Sequence, residues 1–200
     1  GVSLMQVIRK SSQGMQCLPL DAMLLAQRIV FLNEEIDDRS VLLAFQQLLY
    51  LENEDEHTPV TMIIDSPGGK VDAGLKLYDQ MKGMRIPIIT YCTGMAASTA
   101  AIILAGGTKG HRFILPHSKV MVHEPFLLSS GIPERLNMHK AQKCADAAAT
   151  ARAIFAELLA QDCGRSKQEV EEAMSDDRYM TAEEAVAFGI CDAVVERVSI

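Results

Sequence analysis

The chain has 200 residues, of which 48% are hydrophobic and 22% charged, enough for one well-buried domain and short for two. A formal charge of −7 supplies no basic stripe for phosphates, so nucleic acid is not expected as a partner. No apolar run has the length of a membrane span and no charged-then-apolar leader opens the chain, so no membrane partner is expected.

Residues 1–20 mix apolar and polar side chains around a Ser-Ser-Gln-Gly turn and read as a hairpin or loose arm. RIVFL (28–32) reads as a short strand, and Asp37 and Asp38 then precede SVLLAFQQLLYLENE, whose apolar residues recur at helical spacing. Carboxylates at that end suit the helix dipole. VTMIID (60–65) is a buried strand broken by SPGG, and VDAGLKLYDQMKG follows as a helix ending near Gly83. PIITYC (87–92) is the next strand, after which Ser98 opens a small-residue helix closing at Gly106 and Gly107. RFIL (112–115) and KVMVH (119–123) are further strands. An alanine-rich helix runs from Pro133 to about Cys163. Ser166 with Glu169, and Thr181 with Glu184, form capping-box patterns opening two short helices, the second ended by Gly189, before a last strand ICDAVV (190–195). Strands alternating with helices imply a single α/β domain over residues 1–200.

The five cysteines are scattered, odd in number and never spaced as CxxC, which suits a reducing compartment. A cytoplasmic setting is therefore expected, or an organelle matrix if a transit segment has been removed. The five histidines form no HxxxH or HExxH pattern, so a structural metal is not expected. No cofactor is expected either.

Three stretches carry candidate chemistry. TGMAASTAA (93–101) surrounds one hydroxyl, Ser98, with small residues at a strand-to-helix junction, where unpaired helix N–H groups favour negative charge. A serine needs a base to remove its proton and N–H donors aimed at the developing oxyanion, and the Thr99 amide is one natural donor. In IIDSPGGKVDAG (63–74), the glycines after a buried strand can turn their amides outward as anion donors; neither GK[ST] nor GxGxxG follows, so phosphate binding fits poorly. In KVMVHEP (119–125), His123 ends an apolar strand and Pro125 keeps the chain beside it extended, so this histidine can serve as a base on a rigid element. His57, His111, His117 and His139 fall in loops, turns or charged faces and are weaker rivals. An orienting carboxylate is offered by Asp177 in SDDRYMTAEEA, a loop between two capped helices; Asp176 competes, and spacing does not separate them.

Taken together, SPGG, GMAAS, VMVHEP and DDRYMTAEEAVAFGICD resemble, in order and spacing, the motifs of the ClpP family, the proteolytic subunits of the caseinolytic (Clp) protease. The family usually writes NSPGG, GQAAS, MIHQP and D-x-F ahead of A-x-E-A-x-x-[FY]-G-[LI]-[IV]-D. The resemblance runs from QRIVFL to the C-terminal strand. It implies a ClpP/crotonase-like spiral of ββα units with a protruding handle at about 124–160 and an axial N-terminal segment at 1–20. It makes Ser98 the nucleophile, His123 the base and then acid, and Asp177, aligned two residues before Tyr179, the orienting carboxylate. Gly69 and Thr99 would supply oxyanion amides and Gly68 the turn, while Pro125, Phe126 and Leu127 would meet substrate. The implied activity is ATP-dependent serine endopeptidase hydrolysis of unfolded polypeptide within two stacked heptamers, or mixed rings with a second ClpP-like subunit, fed by an AAA+ unfoldase.

The chain departs from the family at three places. EPFLLSSG replaces the usual Gln-Pro and glycine-rich strand, and Phe126, Leu127 and Leu128 in place of glycines are expected to narrow the cleft or change its preference. Asp176 stands where the family has a ring-linking arginine. Thr61, Ile63 and Gly83 occupy unfoldase-docking positions that are usually apolar or aromatic, although Tyr91 remains. These changes fit a paralogue working beside a more typical subunit. A catalytically weak or regulatory ring member is the first rival reading, and a crotonase-type acyl-CoA enzyme the second.

Overall fold

The computed structural model describes residues 5–123, 138–175 and 178–200. Strands β1 (Gln6–Ser11) and β2 (Gly14–Pro19) form an antiparallel hairpin, with side chains mostly exposed on both faces. The expected arm is thus a hairpin, turned at the Ser-Ser-Gln-Gly stretch. A short helix α1 (Leu20–Ala26), which the sequence reading does not include, leads into β3 (Ile29–Leu32).

The remaining strands are β4 (Val60–Ser66), β5 (Ile88–Ala97), β6 (Arg112–Ile114), β7 (Lys119–Val122), β8 (Arg178–Met180) and β9 (Ala193–Val194). With β3 they make a seven-stranded sheet whose path runs β3-β4-β5-β6-β9, with β7 paired to β5 and β8 to β7. All these pairings are parallel except β7 with β8. Crossover helices α2 (Asp38–Glu54), α3 (Val71–Gly83) and α4 (Thr99–Ala105) return the chain between the early strands. The described part of α5 is Met138–Cys163, followed by α6 (Lys167–Ser175) and α7 (Ala182–Phe188).

The core lies between the sheet and these helices. Val30, Leu32, Met62, Ile64 and Ile88 pack there with Leu48, Leu51, Leu77, Ile103 and Leu104. All of α4 is buried, which explains its small and aliphatic composition without any amphipathic stripe. In α5, by contrast, residues 138–147 are exposed, and burial begins at Ala151 and includes Phe155 and Leu159. Pro133 lies outside the described residues.

Helix starts follow the local chemistry. Asp37 is the N-cap of α2, accepting from Arg39 N–H and Ser40 N–H, while Ser40 Oγ accepts from Asp37 N–H. The Ser40 amide, with the other cap donors, holds the Asp37 carboxyl below its usual value. The Ser166 and Glu169 box forms as the pattern implies, and Thr181 Oγ1 caps α7 through Glu184 N–H at 3.2 Å.

The last strand, expected over residues 190–195, is only Ala193–Val194, and two further boundaries that bear on the site differ from the sequence reading. β5 does not stop at Cys92 but continues through Thr93–Ala97, despite the weak strand preference of Gly and Ala. The first part of β5 pairs with β6, Thr90–Cys92 against Arg112–Ile114; the second pairs with β7, Met95–Ala97 against Lys119–Met121. Tertiary pairing overrides propensity there: the small residues give room where the strand changes partners, and Asp65 Oδ1 accepts from Met95 N–H at 3.0 Å. Arg178–Met180, expected as loop, is strand β8, because it finds a free edge on β7.

Candidate active site

Ser98 is the hinge between β5 and α4. Its N–H donates to Met121 O at 2.8 Å, extending the β5–β7 ladder by one residue, and its C=O accepts from Ala101 N–H at 2.9 Å as the helix begins. Between these bonds the backbone is held at φ 55° and ψ −122°, a region that L-residues rarely adopt, at a strain of roughly 1–3 kcal/mol. Such a sharp strand-to-helix turn lifts a side chain off both elements. Ser98 is half-buried, and as the N-cap of α4 its side chain makes no capping hydrogen bond, so it leaves the first amides of the helix, Thr99 among them, uncapped.

The SPGG turn packs against this hinge. A Cβ on Gly68 would lie 2.5 Å from Ala97 O, 3.0 Å from Ser98 Cβ and 3.3 Å from Thr99 N, so only glycine permits the approach, and its φ of 87° favours glycine as well. The segment before α2 fixes the turn's orientation. Ile36 N–H donates to Gly68 O at 2.8 Å, and Lys70 N–H donates to Ile36 O at 2.6 Å. A trans peptide sets its N–H opposite its C=O, so with Gly68 O aimed at Ile36, the Gly69 N–H is directed away from Ile36. Ser66 Oγ, on a fully buried residue, accepts from Gly68 N–H at 3.1 Å and donates to Glu34 O at 2.6 Å.

His123 follows directly on β7, the strand whose Met121 carbonyl receives the Ser98 amide. It is half-buried, with Nδ1 turned inside. β8 runs antiparallel along the other edge of β7, with Val122 opposite Arg178. The structure therefore brings Ser98, His123, Gly68, Gly69 and Thr99 to one end of the β4, β5 and β7 strands. Asp177 and its competitor Asp176 lie outside the described residues, as do Pro125, Phe126 and Leu127. His57, His111, His117 and His139 are exposed and lie on other elements. Cys92, in the same strand as the hinge, is kept a thiol by burial, which pushes it up to about 11. Among the described residues no group of three or more His, Cys, Asp or Glu side chains is placed to hold a metal ion.

A family model described as Clp protease matches residues 12–198. The chain belongs to the Clp protease family. That membership fits the mixed α/β architecture with its mostly parallel sheet and supports a ClpP-type serine peptidase. Against the Clp family's motifs, sequence reasoning located the glycine turn and the hinge but not what holds them. Ile36, which fixes the turn through its backbone, carries no sequence signal between Glu35 and Asp37. Ser66 was visible only as the first letter of SPGG.

Proposed function

We propose that the chain is a serine endopeptidase subunit that hydrolyses unfolded polypeptide inside a ring-shaped chamber. Ser98 Oγ attacks the substrate carbonyl, His123 takes its proton and gives it to the leaving amine, and Asp177 orients the imidazole. A water deprotonated by His123 then cleaves the acyl ester and restores the serine hydroxyl. The Gly69 and Thr99 amides receive the oxyanion, with Gly68 shaping the turn. The observation that carries this reading is the close packing of a glycine turn, its Gly69 N–H directed away from Ile36, onto the strained Ser98 hinge. The role of Asp177 is supported by the pairing of Val122 with Arg178, since His123 follows the one and Asp177 precedes the other in the chain.

No cofactor enters the reaction. An extended substrate chain is the form that reaches half-buried Ser98 among its small neighbours, with Pro125, Phe126 and Leu127 as the segment that meets it. Clp family membership supports oligomeric rings working with an unfoldase; we take these to be two stacked heptamers, or rings mixed with a second ClpP-like subunit, fed by an AAA+ unfoldase in the cytoplasm or an organelle matrix. Hydrolysis of a short fluorogenic peptide, abolished by Ser98→Ala, is the expected result. Acyl-CoA turnover without peptide hydrolysis would favour a crotonase-type enzyme. Fluorophosphonate labelling of Ser98 in the isolated chain would count against a regulatory ring member, and labelling seen only after co-expression with a second subunit would favour a paralogue that works beside it.

A further inference from the structure

The Thr99 side chain has a place in the site that its amide does not account for. Thr99 is fully buried, and its Oγ1 donates to Gly69 O at 3.3 Å. Its Cγ2 is seated against Gly74 on α3, so closely that a methyl group at Gly74 would overlap it. A β-branched residue has little freedom about χ1, so seating the methyl fixes the direction of the hydroxyl.

We propose that Thr99 is a positioning residue for the oxyanion site: its hydroxyl holds the Gly69 backbone in place beside the Thr99 amide. This rests on the reading of Ser98 as the nucleophile. Gly69, at φ 152°, has no side chain of its own to restrict the turn. Ile36 restrains it from one side, through Gly68 O and Lys70 N–H, and the Thr99 hydroxyl restrains it from the other. One residue thus supplies one proposed donor by its N–H and steadies the second by its side chain. Donors fixed before reaction stabilise the developing charge without reorganising when it appears, which is where such a clamp acts.

The test compares wild type, Thr99→Val, Thr99→Ser and Ser98→Ala in peptide hydrolysis, with thermal melting of each assembled protein. Thr99→Val keeps the methyl against Gly74 and removes the hydroxyl; Thr99→Ser does the reverse. The expected result is a fall in kcat of about tenfold in Thr99→Val with KM within about twofold, short of the roughly hundredfold loss of a donor itself. Thr99→Ser keeps the hydroxyl but loses the methyl that directs it, so its kcat should fall between those of wild type and Thr99→Val, and the pH–rate profile should keep its shape in both. Full activity in Thr99→Val overturns the proposal, as does equal impairment in the two variants, which would assign the effect to packing at Gly74. Wild-type hydrolysis that survives Ser98→Ala would instead overturn the nucleophile, and the positioning role with it.

Discussion

Replacing Gly69 by alanine perturbs the proposed oxyanion turn at its least forgiving point. A Cβ there would lie 2.9 Å from Ile36 N and 3.0 Å from Ile36 C, and closer still to Ile36 O, all of them backbone atoms that no rotamer change can move. The overlap with that carbonyl oxygen is relieved only by moving the turn by roughly 1 Å, because interiors are packed without slack. Ile36 cannot retreat easily, since it directly precedes the Asp37 cap of α2 and is itself fully buried. The φ of 152° adds strain for any L-residue. A displacement of about 1 Å costs on the order of a hundredfold where donors must meet a transition state, or about 2.7 kcal/mol in barrier height. Gly69→Ala should therefore lower kcat/KM for a fluorogenic peptide by roughly a hundredfold, in protein whose melting temperature and assembly show that it still folds. Activity within about twofold of wild type in a folded Gly69→Ala variant would refute the reasoning about the turn.

Two stability effects follow from buried polar groups. Arg112 is 2% exposed; it pairs with Asp192 at 2.8 Å and donates to Ala105 O and Asp162 O. Asp192→Asn should destabilise the fold by about 3 kcal/mol or more, measured by denaturant unfolding, because it leaves a buried guanidinium without its counter-charge. Burial alone would raise the Asp192 pKa, but its bonds with Arg112 and Gly110 N–H prevail and lower it. The stabilisation it gives is thus present above the ordinary carboxylate value and lost as pH falls through the lower folded value; the acid limb of a pH–stability curve should flatten in Asp192→Asn. Ser66→Ala should cost roughly 1–3 kcal/mol, since Gly68 N–H and Glu34 O both lose a buried partner, and should reduce peptide turnover through the same turn.

Much of this architecture was legible in the sequence because local chemistry and tertiary packing agree. The nearly all-apolar run Val60–Ile64 is buried throughout, α3 starts and ends within VDAGLKLYDQMKG, and Ser166 with Glu169 caps α6. Where the two disagree, the reading fell short. Residues 93–97 have poor strand propensity and become strand only because β7 offers a parallel edge, and Tyr179 is strand only because Met121 lies opposite it. The hinge at Ser98 and the glycine turn could be named from their residue types, but their mutual orientation depends on Ile36 and the Thr99 hydroxyl, contacts between segments some 30 residues or more apart in the chain. Such contacts have no periodicity to reveal them. The SPGG, GMAAS and VMVHEP motifs ordered the site along the chain; the β5–β7 ladder brings Ser98 and His123 to the ends of neighbouring strands.

The nucleophile is tested most directly by treating the assembled protein with a serine-directed fluorophosphonate and locating the adduct by peptide mass spectrometry. The expected result is a single adduct on Ser98, absent from Ser98→Ala and formed in step with the loss of peptide hydrolysis. An adduct on another residue, or a preparation that hydrolyses peptide at full rate while Ser98 remains unmodified, would contradict the assignment.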